Sequence, residues 1–165
     1  MRSTGLALGG LLTLGLSGCG DAVAPPTQAP PREVVIDGVA FTAQTRAPSS
    51  SHEVETTVLA RNTMPVPTEI LIQGGGCRVR LRAFMEATRR GTPTWDQDRF
   101  SPNCTDLGFR IVLAVAETRE FSNALPTSAI LGDSLPEGRY FFTARITARA
   151  NEEFEMSSGD ALIIR

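Results

Sequence analysis

Residues 77–86, Cys-Arg-Val-Arg-Leu-Arg-Ala-Phe-Met-Glu, decide the fold class. Positions 77, 79, 81, 83 and 85 read Cys, Val, Leu, Ala and Met, while arginine fills 78, 80 and 82. Successive side chains of an extended chain point to opposite faces, so a period of two marks a strand with one dry and one wet side. On that reading Cys77 and Met85 face inward. Arg78, Arg80 and Arg82 form one stripe, with about 6–7 Å between neighbours.

The same period recurs on both sides of this stretch. Val54, Thr56, Val58 and Ala60 alternate with Glu53, Glu55, Thr57 and Arg61. Tyr140, Phe142, Ala144, Ile146 and Ala148 alternate with Arg139, Thr143, Arg145, Thr147 and Arg149. Leu59 and Phe141 break the pattern by standing on the polar sides. Residues 39–43, 69–72, 109–115, 118–121 and 153–164 predict further strands, and Thr127–Leu131 predicts a short helical turn. Pro65 and Pro67, Gly74-Gly75-Gly76, Gly91-Thr92-Pro93 and Pro136-Glu137-Gly138 supply turns between them. Strands that are wet on one face suit antiparallel pairing, so the expected architecture is all-β: an antiparallel sandwich of about seven to eight strands. It occupies residues 33–165 as a single domain.

The N-terminus carries an address. Arg2 precedes a run from Leu6 to Leu16 that is apolar and broken by glycines. The run is too short for a bilayer span, which needs about 20 residues. Leu16-Ser17-Gly18-Cys19 then resembles the lipobox of bacterial lipoproteins. That resemblance implies that residues 1–18 are a cleaved signal peptide and that Cys19 is acylated. Two or three acyl chains would anchor the protein to the membrane where one would not. Gly20, in place of Asp, implies the outer membrane by the same resemblance. Residues 19–32 hold Pro25, Pro26, Pro30 and Pro31 and read as an extended tether.

Cysteine usage agrees with export. With Cys19 lipidated, Cys77 and Cys104 remain as an even pair in an oxidising compartment and are expected to form a disulfide. The bridge would close a loop of 27 residues. In the chain-entropy account it stabilises by roughly 3–4 kcal/mol. The alternative, a metal site, lacks ligands: His52 is the chain's single histidine, and no Cys-x-x-Cys spacing occurs. All sixteen basic residues are arginine, and the formal charge is −2. A weakly acidic chain does not present the basic footprint that nucleic acids attract.

A second resemblance lies in the domain. A strand ending in Asn62, a turn with Pro65, a long strand leading to Gly91-Thr92-Pro93-Thr94-Trp95 and Phe100, and then Leu113, residues 117–121 and Leu135-Pro136-Glu137-Gly138-Arg139-Tyr140 together resemble the BsuPI-type proteinase inhibitor family. The likeness covers roughly residues 50–148. It implies a single immunoglobulin-like β-sandwich and, as an alternative function, inhibition of a proteinase. Where the family pattern would place Pro-Gly before Glu117, this chain has Val115-Ala116.

Chemistry-bearing motifs are sparse. Gly132-Asp133-Ser134-Leu135 spells the nucleophile block of a family of serine esterases. No histidine follows it, however, and a serine without a base is not activated. His52 sits in a polar stretch and reads as solvated. The Arg78, Arg80 and Arg82 stripe either docks an acidic partner or pairs with cross-strand glutamates. Trp95, Asp96 and Phe100 lie in a long connection. The tryptophan suits core packing, and if any loop meets a partner it is this one. Asp96 and Asp98 alone fall short of a calcium loop. No catalytic residue, cofactor or metal is therefore assigned. The expected function is that of a membrane-anchored, non-enzymatic protein-binding module of the cell envelope, with a structural or assembly role as a further alternative. No small-molecule substrate is evident.

Overall fold

The computed structural model describes residues 30–47, 52–74, 77–100, 107–131, 135–149 and 151–163. The segment expected to be a signal peptide, Cys19, Cys104 and Gly132-Asp133-Ser134 lie outside them. The described chain is an all-β sandwich of two antiparallel sheets. The first orders β1 (Glu33–Ile36), β2 (Val39–Arg46), β3 (Glu53–Asn62) and β8 (Thr118–Pro126). The second holds β4 (Thr68–Gln73), β5 (Arg80–Phe84), β6 (Trp95–Asp96), β7 (Phe109–Leu113), β9 (Gly138–Ala148) and β10 (Glu152–Ile163). Two short helices complete it, α1 (Gln97–Phe100) and α2 (Thr127–Leu131). The helical turn expected at Thr127–Leu131 is α2.

Among the described residues the strands number ten instead of seven or eight because two short ones carry no alternation to read. β1 is a four-residue edge strand, joined to β2 through Asp37 and Gly38. These take φ of 48° and 80°, the paired positive values of a two-residue hairpin turn. β6 is two residues long. β9 organises the second sheet. β10 runs along one edge of it for its whole length. Along the other edge lie β5, with Arg80–Phe84 opposite Arg145–Phe141, and β4, which meets β9 only at Ile72 and Gln73. β7 then pairs with β4, and β6 with β5.

The alternation named above fills the space between the sheets. Val54, Val58 and Ala60 of β3 face Tyr140, Phe142, Ala144, Ile146 and Ala148 of β9 in one core that also holds Leu81, Ala83, Ile111 and Leu113. Burial of such side chains stabilises by about 1.5–3 kcal/mol each. Polar ties close the ends. Asn62, at the end of β3, donates through Nδ2 to the carbonyls of Val66, Leu113 and Ala114, and its Oδ1 accepts from Met64 N and Thr68 Oγ1. One buried amide thus joins the turn after β3 to the end of β7 on the opposite sheet. The Tyr140 hydroxyl donates to the carbonyl of Pro136 at 2.5 Å, a corner contact typical of sandwich domains.

The stretch at 77–86 departs from its expectation at both ends. β5 is only five residues long. Gly74, at φ 115°, turns the chain, and Cys77 N closes that turn onto the Gly74 carbonyl. Pairing with β9 therefore begins at Arg80, and Cys77 is half-buried in the turn instead of pointing into the core from a strand. After Phe84 the chain leaves the sheet, so Met85 is 60% exposed and not inward-facing. Cys77 is disulfide-bonded.

Candidate functional site

Two places on the domain gather polar side chains. The first contains the arginines of β5. The outer face of the second sheet aligns Arg80 and Arg82 of β5, Arg145 of β9, and Glu153 and Glu155 of β10, because these positions share one face across paired strands. The connection after β5 folds back through β6 and α1 to add Asp96 and Asp98. Arg145 is only 1% exposed and reaches Asp96 at 2.7 Å, Asp98 at 3.0 Å and Glu153 at 3.0 Å. Arg82 bonds Asp96 at 2.9 Å and Glu155 at 3.2 Å, and Arg80 pairs with Asp98 at 3.2 Å. Burial alone would push the Asp96 carboxyl up. The hydrogen bond from Arg82, the charge of Arg145 and the amide of Asp98 outweigh it and hold that carboxyl below its ordinary range. Gln97 adds a neutral tie, accepting from Leu81 N.

This face is a network closed on itself. Its cations meet carboxylates of the same chain, which is the cross-strand alternative for the stripe. Arg78 does not join it. It precedes β5 and stacks over the Phe109 ring at 4.1 Å. Trp95 is 3% exposed and belongs to the core cluster. Asp96 is buried under the arginines, and Phe100 ends α1. The expected contact residues thus fall into four places: a core position, an internal ion network, a separate turn and, for Phe100, the end of α1. Asp96 and Asp98 take guanidinium partners, and among the described residues no cluster of metal-ligating side chains occurs. His52 is exposed, and its carbonyl accepts from Thr127 N at the start of α2.

The second place is a groove of about 760 Å³ at one corner of the sandwich. Its floor is the outer face of β2 and β3, where Thr42 lies opposite Leu59 and Gln44 opposite Thr57. β10 supplies one wall. Its ladder with β9 shifts between Ser157 and Gly159, and Gly159 takes φ 107°. This bulge turns Ser158 inward, where it accepts from the Thr45 hydroxyl at 2.8 Å, while Thr45 in turn accepts from Thr56 at 3.0 Å. Ser157 faces the other way and ties down the incoming chain: its amide donates to the Pro31 carbonyl and its hydroxyl to that of Pro30. Pro30 and Arg32 therefore form the opposite rim. Arg89 stands at the end of the groove, its guanidinium fixed by the carbonyls of Phe142, Ala87 and Gly159 and stacked 5.5 Å over Phe141.

Sequence reading missed this groove. Its traces were there as exceptions. Leu59, on the wrong side of β3, is part of the floor and 39% exposed, and Phe141, on the wrong side of β9, is the shelf under Arg89.

No protein-family profile matches the chain, and no curated protein matches it. Among solved structures it is similar to the β-glucosidase from Listeria innocua in complex with gluconolactone, at 13% identity and a TM-score of 0.34, over 73% of this chain and 16% of that one. The putative ApaA protein from Bordetella pertussis matches at 15% identity and a TM-score of 0.32, over 81% of this chain and 95% of that one. A β-glucosidase from Kluyveromyces marxianus matches at 11% identity and a TM-score of 0.32, over 75% and 15%. The chain spans 16% and 15% of the two glucosidases, and at these TM-scores none of the three bears on its activity.

Proposed function

We propose that the chain is an exported lipoprotein, anchored in the cell envelope through acylated Cys19, that acts as a non-enzymatic binding module. The observation that carries this reading is Leu16-Ser17-Gly18-Cys19 directly after a short apolar run. The disulfide at Cys77 supports it, since such bonds persist in oxidising compartments, and Cys104 is the partner that the proposal assigns. The Pro-rich residues 19–32 act as the tether, and it enters the domain at Pro30 and Pro31, beside the groove. Gly20 points to the outer membrane as the destination. Among the described residues no helix is long and apolar enough to cross a membrane. A lipid on Cys19 would supply the attachment.

The test is acylation. Cells fed a labelled fatty acid should yield labelled protein, and Cys19→Ala should abolish the label and release the protein from envelope fractions. Native protein that takes up no label, with Cys19→Ala still in the envelope, would overturn the proposal. The binding part is checked by capture of a partner with the anchored protein from envelope extracts at several salt concentrations. Recovery of nothing above background speaks against it.

A further inference from the structure

We propose that the corner groove between β2, β3 and the β10 bulge binds a phosphorylated sugar or polyol, with Arg32 and Arg89 holding the phosphate. The inference deepens the reading of the chain as a binding module by naming a ligand class and a place. It does not depend on the anchor.

The protein as a whole is acidic, at −2, yet the groove lining carries two guanidiniums and a single carboxylate, Asp160. Asp160 is shared with Arg139, at 3.5 Å, outside the groove. Among the described residues no carboxylate lies within ion-pair distance of Arg89 or Arg32. This contrasts with the other face of the domain, where Arg80, Arg82 and Arg145 are each matched by carboxylates. Arg89 also departs from ordinary surface arginines in being immobilised. Three main-chain carbonyls hold its Nε, Nη1 and Nη2, and one N–H on each Nη remains for something else. Burial and the like charge of Arg32 both disfavour its charged form, with Asp160 only partly offsetting them. A preset guanidinium with no carboxylate in direct contact is the arrangement that recognises an oxyanion. Arg89, held in place, and Arg32, exposed on the rim, are two guanidiniums of one sign and suit a dianion better than a single carboxylate, and a phosphate monoester is nearly dianionic at neutral pH.

The rest of the lining selects what carries the phosphate. Thr42, Gln44 and Thr57 offer hydroxyls and an amide that both donate and accept, as a polyhydroxylated ligand requires; the Ser157 hydroxyl, whose proton goes to the Pro30 carbonyl, can still accept, and Leu59 gives an apolar platform for the carbon skeleton. The volume lies within the usual range for small-molecule sites, about 300–1,000 Å³. A sugar phosphate free in solution and the headgroup of an anionic lipid share this chemistry.

The experiment uses the full-length chain purified in a non-ionic detergent. Binding of glucose 6-phosphate, inorganic phosphate and uncharged glucose is measured by calorimetry. Glucose 6-phosphate should bind more tightly than either of the other two, with an affinity that falls as salt rises. Arg32→Gln, on the exposed rim, should weaken it about tenfold or more, as loss of a charge-assisted hydrogen bond does. Thr57→Val should weaken it less. Arg80→Gln, in the ion network, should leave binding unchanged. Vesicles of phosphatidylglycerol that displace glucose 6-phosphate, where phosphatidylcholine vesicles do not, identify a lipid headgroup as the source. Failure of both to displace it identifies a free solute. Glucose 6-phosphate that binds no better than glucose, or equal binding by the Arg32→Gln variant, overturns the proposal. Fatty-acid labelling at Cys19 is read separately, so loss of the ligand and loss of the anchor are distinguishable.

Discussion

Replacing Arg145 by Met tests whether the buried ion network holds the 95–100 connection on the sheet. The side chain is almost fully enclosed and meets three carboxylates within 3.0 Å. Removing it leaves Asp96 with Arg82 as its one guanidinium partner beside the Asp98 amide, and leaves Asp98 and Glu153 to share Arg80. Breaking a buried pair by deleting one partner typically costs about 3–5 kcal/mol. Here Asp98 and Glu153 are 35% and 38% exposed, so water relieves part of the loss. The expected destabilisation is therefore about 2–3 kcal/mol after discounting for solvent screening. At ~4 °C per kcal/mol for a domain of this size, the melting temperature should drop by roughly 10 °C. Thermal and urea unfolding followed by circular dichroism measure it. The same experiment on Asp96→Asn and on the double variant closes a cycle, and the coupling between the two sites should be about 1–2 kcal/mol. A melting temperature within ~2 °C of the parent, or a coupling near zero, would show that the contacts are incidental and that core packing alone fixes the segment.

Four further expectations follow from the same structure. Asp96 is held below its ordinary range, so the stability it contributes is complete above the unfolded carboxylate pKa, near 3.9, and is lost as pH falls through the lower folded value. Acid unfolding curves should show this loss, and Asp96→Asn should flatten them there. Asn62→Ala removes a buried amide with three donor and two acceptor contacts, and should destabilise by about 3 kcal/mol in urea titrations. Ala116 takes φ 60° in the turn between β7 and β8, so Ala116→Gly should stabilise by about 1 kcal/mol, read as a higher urea midpoint at unchanged slope. Cys104→Ser should lower stability by roughly 3–4 kcal/mol under oxidising conditions and have no effect once the parent is reduced. Equal stability of parent and variant under oxidising conditions would exclude Cys104 as the partner of Cys77.

The fold was legible wherever one strand face is dry. β3 and β9 show their alternation because every second residue enters the core, and the whole of β9 from Tyr140 to Ala148 could be read that way. β1 and β6 were not legible. Residues 33–36 and 95–96 are too short for a period to emerge, and their pairing is set by the neighbours they meet. The ends of β5 failed for a related reason: Cys77 and Met85 continue the alternation in sequence, but the turn at Gly74 and the departure after Phe84 take both off the ladder. The ion network was half visible. The arginine stripe announced a charged face, while its carboxylates come from strands and turns distant in sequence. The groove was hidden, since a bulge at Ser158 and a docked Pro30 create it, and neither has a local signature. At Val115-Ala116 the chain lacks the expected glycine yet turns all the same, with Ala116 in the left-handed region.

The join between β4 and β9 carries a dynamic consequence. Only Ile72 and Gln73 hold β4 to β9, whereas β5 is zipped to it over five residues. The β4–β7 ribbon thus joins the sheet through a two-residue seam, and Asn62 and the core packing of Ile70, Ile111 and Leu113 hold the rest of it. Protection from hydrogen exchange should reflect that geometry. Amides of β7 should open on a shorter timescale than those of β5, and the second sheet should come apart in two cooperative pieces, with the ribbon first.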